Sequence, residues 1–197
     1  MRVNLWLVRH CAPEWPGGLA LGHGDPSLSW AGKRQAASLA RAFAPLSLEA
    51  VISSDLRRAA QTATSIASSH RVAVQIWPEL REVNFGVWEG RQLGRLWVED
   101  PEAARRWEVD PTDFPGDFGE TFPAVHQRLA VAASRLLRMR PAPILVVGHG
   151  GTLRLLRAIL ERTPLSQAWR EAMPLGAVLQ VAWSDLGDAP VLDAGGD

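Results

Sequence analysis

The sequence predicts an α/β fold: a three-layer α/β/α sandwich in which helices cover both faces of a mainly parallel central sheet. Short apolar runs alternate with stretches of helical periodicity along the chain. The run Ile144–Val147 is apolar at every position, as in a central parallel strand that is covered on both faces. Because 197 residues without an internal repeat suit one domain, we expect residues 1–197 to form a single domain.

Simple patterns predict the first two strands and the helix between them. Val3–Val8 is a short run of mostly apolar, β-favouring residues, and a loop rich in proline and glycine follows it at 13–26. In Trp30–Phe43 the apolar residues recur at helical spacing, and Ser29 stands where an N-cap is expected. Ala50–Ser53 predicts the second strand.

The next segment predicts a helix, a third strand and a loop. Ser54 or Asp55 is expected to cap a helix that begins near Leu56. Val72–Ile76 predicts the third strand. The stretch ELREVNFGVWEG after it lacks a sustained periodicity, so we expect a loop that enters a helix.

The second half of the chain predicts a short excursion and then helix, strand, helix and strand. Residues 90–119 are rich in charges and then in turn-forming residues, which predicts a small helical excursion with an ordered loop. After the central strand a helix is expected to start at the glycines of GHGG, Val178–Trp183 predicts the last strand, and the Gly- and Asp-rich end is expected to add a short edge strand or to fray. The helix before the central strand has one apolar face, formed by Phe122, Val125, Leu129, Ala132, Leu136 and Met139.

Composition excludes several classes of function. The 21 acidic and 21 basic side chains balance, so the chain has no overall positive field to attract nucleic acid or an anionic membrane. The only cysteine, Cys11, rules out an internal disulfide framework and a multi-cysteine metal site, and it suits a reducing compartment, so we expect a cytoplasmic protein. The first apolar run is too short for a signal core or a membrane span.

Basic and histidine side chains follow three of the predicted strands. Arg9 and His10 end the first strand, Arg57 and Arg58 follow the second, and His149 ends the strand Ile144–Gly148. Because parallel strands deliver their carboxyl ends to one edge of a sheet, we expect these side chains to share one rim. A cationic rim in a chain of zero net charge indicates an anionic ligand, and a phosphate fits it.

Each of these features also has a purely structural explanation. An Arg-His pair after a strand can be a satisfied structural pair, the GHGG turn can reflect tight packing, and an arginine on an exposed turn can be solvated. Only their combination favours a phosphate site.

That combination resembles the histidine phosphatase superfamily, also called phosphoglycerate mutase-like, over nearly the whole chain. Four stretches carry the resemblance in the family's order. LVRHC is similar to L-x-R-H-G, SSDLRRAAQTA to S-x-L-x-R-A-x-Q-T-A, LREVNFGVWEG to L-R-E-x-x-F-G-x-W-E-G, and VVGHGG to the second-histidine motif. Within the family, the pattern is most similar to the α-ribazole-phosphate phosphatases.

The resemblance implies a histidine acid-base phosphomonoesterase that uses no metal and no other cofactor. It implies that His10 is the nucleophile that forms a phosphohistidine, that Arg9, Arg58 and His149 bind the phosphate, and that Glu82 is the proton donor. Elementary chemistry agrees, since a neutral imidazole can attack phosphorus when its other nitrogen is oriented by a hydrogen bond. The expected substrate is a small phosphate monoester, with α-ribazole 5'-phosphate as a candidate, and the oligomeric state stays open.

Cys11, Ala12 and Pro16 depart from the family's R-H-G-E-T-x-x-N stretch. At the family's glycine position, Cys11 either imposes a steric cost or narrows the pocket, or it is a harmless small residue. It is also a candidate oxidisable thiol. Ala12 and Pro16 replace polar residues of that stretch. We therefore expect one hydrogen bond, to the phosphate or within the loop, to be missing.

Several residues outside the motifs have open roles. Two tryptophans can be packing residues and two arginines can be solvated charges, or these four side chains can reach the ligand pocket. Three histidines are expected at the surface or in local hydrogen bonds. These residues are Trp15 and Trp88, Arg105 and Arg106, and His23, His70 and His126.

Three alternatives to a phosphatase follow from the same residues. A phosphoglycerate mutase is one, but the resemblance implies a longer excursion in mutases than 90–119 here. A non-catalytic phosphate-binding module of the same fold is another, because fold alone does not establish activity. A nucleotide-binding α/β protein ranks last, because the chain has neither a GxxxxGK[ST] loop nor a GxGxxG after its first strand.

Overall fold

A five-stranded sheet forms the centre of the molecule. The structure, a computed structural model, describes residues 4–110, 112–113, 119–168 and 172–186. Its strand order is β3-β2-β4-β1-β5, and every neighbouring pair is parallel except β1 with β5, so the predicted mainly parallel sheet is confirmed. The strands are β1 (Leu5–Arg9), β2 (Ala50–Ser53), β3 (Val74–Ile76), β4 (Ile144–Gly148) and β5 (Val178–Val181).

Helices connect the strands, and two short ones form the predicted excursion. The helices are α1 (Trp30–Phe43), α2 (Arg57–Ala67), α3 (Leu96–Glu99), α4 (Pro101–Val109), α5 (Phe122–Arg138) and α6 (Gly150–Glu161). Helices α3 and α4 lie in the excursion and follow a 3-10 turn at Leu93–Arg95. In the part of the chain that the structure describes, no helix is long and apolar enough to cross a membrane.

The alternation of side chains along the strands creates two cores, one on each face of the sheet. Trp6 and Val8 of β1 pack on one face, together with Phe43 of α1 and Ile66 of α2. The opposite face carries the neighbouring residues of β1 and is covered by α5 and α6, through Leu5, Leu7, Leu129, Leu136, Leu153 and Leu156. This confirms the three-layer α/β/α arrangement.

The structure corrects the predicted cap of α2. Neither predicted residue caps the helix. Ser54 Oγ lies 3.0 Å from Nε2 of His149 and accepts the N–H of Leu56 at 3.3 Å, before the first helical residue. The Asp55 carboxylate binds Arg81 at 2.8 Å. Instead Asp25 Oδ1 accepts a hydrogen bond of 2.6 Å from the backbone N–H of Arg57. The cap therefore comes from a residue 32 positions away in the first loop.

Three strand boundaries also differ from the predictions, because pairing partners set them. β1 continues to Arg9, which pairs with Gly148 of β4, while residue 3 of the predicted strand lies outside the described residues. β3 begins at Val74, opposite Val51. β5 ends at Val181, which pairs with the first residue of β1. The Gly- and Asp-rich end from residue 187 onward lies outside the described residues.

Candidate active site

The carboxyl ends of three adjacent parallel strands form one rim of the sheet. The register places Arg9 of β1 beside Gly148 of β4, and Ser53 of β2 beside Val147, so the three strands end at the same level. The chain then delivers His10 from β1, His149 from β4 and, through α2, Arg58 from β2. The rim therefore brings together the residues that the sequence placed there.

His10 is buried, and a backbone carbonyl fixes its ring. Its exposed fraction is 4%, and Nδ1 lies 2.8 Å from the carbonyl oxygen of Cys11. A carbonyl can only accept, so the contact requires the proton on Nδ1 and leaves Nε2 with a free lone pair. Burial, assisted by the charges of Arg58 and Arg9, lowers the pKa of His10 to about 3. The imidazole is therefore neutral at pH 7.

His149 lies beside His10 with their ring centroids 5.1 Å apart. It is fully buried, and its Nε2 lies 3.0 Å from Ser54 Oγ. Burial, followed by the charge of Arg58, lowers the pKa of His149 well below its ordinary value. Among the described residues its Nδ1 has no hydrogen-bond partner, which leaves a polar atom for a ligand.

Two arginines place positive charge around the histidines. Arg58 is fully buried, and its Nη1 and Nη2 donate to the carbonyls of Gly24 at 2.6 Å and Gly22 at 2.7 Å. Burial lowers the pKa of Arg58 to about 10, so the group stays charged at pH 7. Arg9 Nη1 donates to the carbonyl of Met173 at 2.5 Å. In both arginines Nε is buried without a partner in the described part of the chain.

Gly150 at the start of α6 allows the close approach of Arg9. A Cβ at this position would lie 3.1 to 3.3 Å from atoms of the Arg9 guanidinium, which is tighter than ordinary van der Waals contact. Gly150 of the GHGG motif is therefore needed for packing as well as for its place at the rim.

Glu82 approaches the same rim from the loop after β3 and binds the amino end of α6. Its Oε1 accepts N–H bonds from Val83 and Thr152, both at 3.1 Å, and its Oε2 accepts one from Gly151 at 3.0 Å. Two of these donors are orphan N–H groups of the helix, where a negative charge is favoured. The structure thus brings all five predicted side chains to one place.

A cavity of about 370 Å³ opens over this rim. Its charged and polar lining comes from Arg9, His10, Glu82 and Arg154, and its aromatic walls come from Trp15, Phe85 and Trp107. Arg58 and His149 are buried at the rim and do not line the cavity. Of the candidates for its wall, Trp15 is confirmed, but Trp88 is 2% exposed and belongs to the core. Among the described residues, no group of three His, Cys, Asp or Glu side chains is placed to hold a metal ion.

Among the residues that line the cavity, the sequence did not single out Phe85, Trp107 or Arg154. Trp107 directly follows the arginine pair of the excursion, and Arg106 itself forms ion pairs with Glu102 and Asp113 rather than lining the cavity. Two features of the sequence could have indicated such residues. Trp107 is a tryptophan in a charged segment, and Arg154 lies one helical turn after Gly150.

Of the two interpretations of Cys11, a residue that disturbs the pocket or a harmless small residue, the structure supports the second. Arg162 is the only non-glycine residue with positive φ in the described ranges, so Cys11 needs no glycine-like backbone. Its side chain is fully buried against Leu28 and Ala36, and it does not line the cavity. Burial raises the pKa of the thiol to about 11, which disfavours the reactive thiolate.

Comparisons with known proteins agree with the motifs and the geometry. The Histidine phosphatase superfamily (branch 1) matches residues 5–192. The adenosylcobalamin/alpha-ribazole phosphatase of Escherichia coli K12 is 37% identical over 169 residues, which are 85% of this chain and 83% of that protein. Phosphoserine phosphatase 1 of Hydrogenobacter thermophilus is 31% identical over 169 residues, 85% of this chain and 80% of that protein.

A solved structure extends the similarity to three dimensions. The mycobacterial glucosyl-3-phosphoglycerate phosphatase in complex with VO3 superposes with a TM-score of 0.82 at 26% identity, covering 94% of this chain and 95% of that one. The chain belongs to the histidine phosphatase superfamily, as its four motifs predicted, and it is an enzyme of the phosphatase class.

Proposed function

We propose that this chain hydrolyses small phosphate monoesters without a metal, through a phosphohistidine on His10. The observation that carries the proposal is the state of His10: a neutral imidazole whose Nδ1 is bound to the Cys11 carbonyl and whose ring lines the cavity beside charged donors. This combination suits a nitrogen nucleophile, because orientation and a free lone pair on Nε2 are what the attack requires.

In the first step, Nε2 of His10 attacks phosphorus and an N–P bond forms while the P–O bond to the alcohol breaks. The leaving oxygen takes a proton from the carboxyl group of Glu82. Oε2 of Glu82 accepts one hydrogen bond from the described residues, whereas Oε1 accepts two, so Oε2 has room for that proton. Glu82 is then ionised.

In the second step, the ionised Glu82 takes a proton from water. The water oxygen attacks phosphorus, the N–P bond breaks, and inorganic phosphate leaves with His10 neutral again. The proton stays on Nδ1 of His10 throughout, in a hydrogen bond donated to the Cys11 carbonyl oxygen, so the ring returns to its starting tautomer. Both steps balance without a cofactor.

Arg9, Arg58 and His149 are the proposed ligands of the phosphoryl oxygens. Phosphoryl transfer spreads charge over those oxygens, and buried donors fixed in advance stabilise that charge most in the transition state. Each of the three side chains has a buried nitrogen without a partner among the described residues. By analogy with oxyanion donors, loss of one is expected to slow turnover by roughly 10²-fold to 10³-fold.

α-Ribazole 5'-phosphate is the substrate that we propose to test first. The name of the E. coli relative and the aromatic walls of the cavity support it, since Trp15 and Trp107 offer flat apolar surfaces to an aromatic base. Phosphoserine, suggested by the name of the H. thermophilus relative, is a smaller and more polar competitor. The cavity walls favour the larger ester.

Release of phosphate in the presence of EDTA tests the proposal. The esters are α-ribazole 5'-phosphate, phosphoserine and 3-phosphoglycerate, and the variants are His10→Asn and, as a matched control, His126→Asn at an exposed position of α5. We expect metal-independent hydrolysis with the ribazole ester as the best substrate, lost in His10→Asn and kept in the control.

Two results would point to the alternatives. Transfer of phosphate between positions of phosphoglycerate, without net release, would indicate a mutase. Tight binding of phosphate with no turnover of any ester, and no effect of Glu82→Gln on that binding, would indicate a binding module.

A further inference from the structure

The guanidinium of Arg128 on α5 uses all five of its N–H groups. Nε and Nη2 bind the two carboxylate oxygens of Glu120 at 2.7 and 2.9 Å. Nη1 donates to the carbonyls of Glu79 at 2.8 Å and Arg81 at 2.6 Å, and Nη2 donates to the carbonyl of Glu82 at 3.1 Å. Three bonds therefore hold the backbone of residues 79–82, which carries the proposed proton donor.

This backbone segment has little regular structure of its own. A 3-10 turn ends at Leu80, and the chain around Glu82 is neither helix nor strand. The carbonyls of such a segment need partners from elsewhere when they are buried. Arg128 supplies three bonds, and Nε2 of His23 adds a contact of 3.0 Å to the Glu82 carbonyl.

Glu120 fixes Arg128 and also holds the far side of the segment. The side chains of this ion pair are only 17% and 15% exposed, and the contact is bidentate, which gives it a defined geometry. Oε2 of Glu120 accepts a further bond of 3.2 Å from the N–H of Asn84. Residues 79–84 are thus bound on both sides of Glu82.

We propose that Arg128, held by Glu120, is a positioning residue that sets where the carboxyl group of Glu82 meets the leaving oxygen. Arg128 does not line the cavity, and its hydrogen bonds reach the site through the backbone of Glu82. Its charge also acts on His149, and Arg128→Lys keeps that charge. The inference rests on the proposed role of Glu82. A shift of about 1 Å at a catalytic group is enough to cost roughly 10²-fold in rate.

The dependence of rate on the leaving group separates positioning from simple stability. An alkoxide is a strong base and needs the proton of Glu82 as it departs, whereas p-nitrophenolate is a weak base and leaves without it. A misplaced Glu82 therefore slows alkyl esters selectively. A variant that merely contains less folded enzyme slows both esters by the same factor.

The experiment compares kcat/KM for glycerol 2-phosphate and p-nitrophenyl phosphate. This constant reports the first step, in which the ester bond breaks. We expect Arg128→Lys to lower the value for the alkyl ester by about 10-fold to 10²-fold and that for the aryl ester by less than about threefold. Glu120→Gln keeps the guanidinium and its carbonyl contacts, and we expect a smaller change in the same direction.

Arg135→Lys is the matched control. Arg135 also lies on α5, and it binds the Glu79 carboxylate at 2.9 Å and lies 3.7 Å above the ring of Trp77. It is close to the same segment, but none of its described contacts is to the backbone carbonyls that Arg128 holds. We expect the ratio of the two esters to stay at the wild-type value.

Equal losses for both esters in Arg128→Lys, or the same selective loss in Arg135→Lys, would overturn the inference. If Arg128→Lys does not fold, the Glu120→Gln variant provides the test. A ratio of the two kcat/KM values that is unchanged in Glu120→Gln would then overturn the inference. Glu82→Gln separates this outcome from a failure of the proposed function. If Glu82→Gln itself leaves the ratio unchanged, the donor assignment is wrong, and if only Glu82→Gln shows the selective loss, the positioning role alone is wrong.

Discussion

At the scale of single residues, the backbone next to His10 matters as much as its side chain. The Cys11 carbonyl orients the imidazole, while the Cys11 side chain points away from the cavity into a small apolar cluster with Leu28 and Ala36. The position therefore serves the site through its main chain. A cysteine at this position is compatible with the proposed reaction without taking part in it.

The state of the Cys11 thiol leads to the first prediction. Because burial raises its pKa to about 11, the thiol stays protonated and inaccessible at pH 8, and the folded enzyme is expected to resist iodoacetamide and peroxide. Mass spectrometry after alkylation, in parallel with activity, checks this. Unfolding in urea should expose the thiol to rapid labelling, and inactivation of the wild type but not of Cys11→Ser would show that the thiol is reactive after all.

Because strand ends in a parallel sheet meet at one rim, the sequence was enough to group Arg9, His10 and His149 with an arginine of the pair Arg57 and Arg58. The family resemblance then selected Arg58. Glu82 required the family resemblance, since its loop has no periodicity that would place it. Arg128 could not be found at all, because the three bonds that matter for Glu82 go to backbone carbonyls, which every residue has. Side chains that act on the main chain leave little trace in a sequence.

At the scale of secondary structure, the helices and strands whose bounds are set by neighbouring residues in the sequence were predicted well. Trp30–Phe43 has the predicted bounds, and the Ser29 side chain accepts the N–H of Gly32, as an N-cap does. The start of α2 near Leu56 was predicted correctly, but its capping residue was predicted wrongly, because a side chain of the first loop, Asp25, binds the N–H of Arg57. A partner far away in sequence can displace a local one, and only the tertiary fold shows which one binds.

Gly32, in the first turn of α1, provides the second prediction. A Cβ there would lie 1.9 Å from the carbonyl oxygen of Ala12, so the helix and the loop after His10 could not keep their present distance. We expect Gly32→Ala to destabilise the protein by about 1–3 kcal/mol, despite the higher helix propensity of alanine. Urea unfolding measures the change in free energy.

A second glycine serves as the control for that substitution. A Cβ on Gly94 meets nothing within 4 Å, so Gly94→Ala is expected to be neutral or slightly stabilising. Equal stabilities of the Gly32→Ala and Gly94→Ala variants would show that α1 can move away from the loop at little cost.

At the scale of the whole molecule, the sheet places two buried neutral histidines next to two charged arginines. His10 and His149 are excluded from solvent, and the pKa of His10 falls to about 3 while that of His149 falls well below its ordinary value. Folding must keep both rings neutral. This links the stability of the entire fold to the site.

The third prediction is therefore a loss of stability in mild acid. In the unfolded chain both histidines bind protons as the pH falls through about 6.5. In the folded protein both rings stay unprotonated in this range, so the unfolded state is favoured progressively below that pH. Each histidine contributes up to about 1.4 kcal/mol per pH unit in this range. Above pH 7 the contribution is complete and constant.

Urea titrations between pH 7 and pH 5 measure this slope, above the range in which carboxylates protonate in the unfolded chain. We expect one cooperative transition, in keeping with the proposed single domain, and a clearly smaller slope in His10→Asn. A free energy of unfolding that does not change between pH 7 and pH 5 would contradict the burial of the neutral rings.

Direct capture of the phosphoryl group on His10 tests the central claim. Glu82→Gln should still accept a phosphoryl group from p-nitrophenyl phosphate, because this ester needs no proton donor, but it should lose it slowly, because water is no longer activated. We predict a burst of one p-nitrophenol per enzyme and an acid-labile phosphoryl group on the peptide that contains His10, absent when His10→Asn is added. Turnover without such a group, or a phosphoryl group on another residue, would contradict the account.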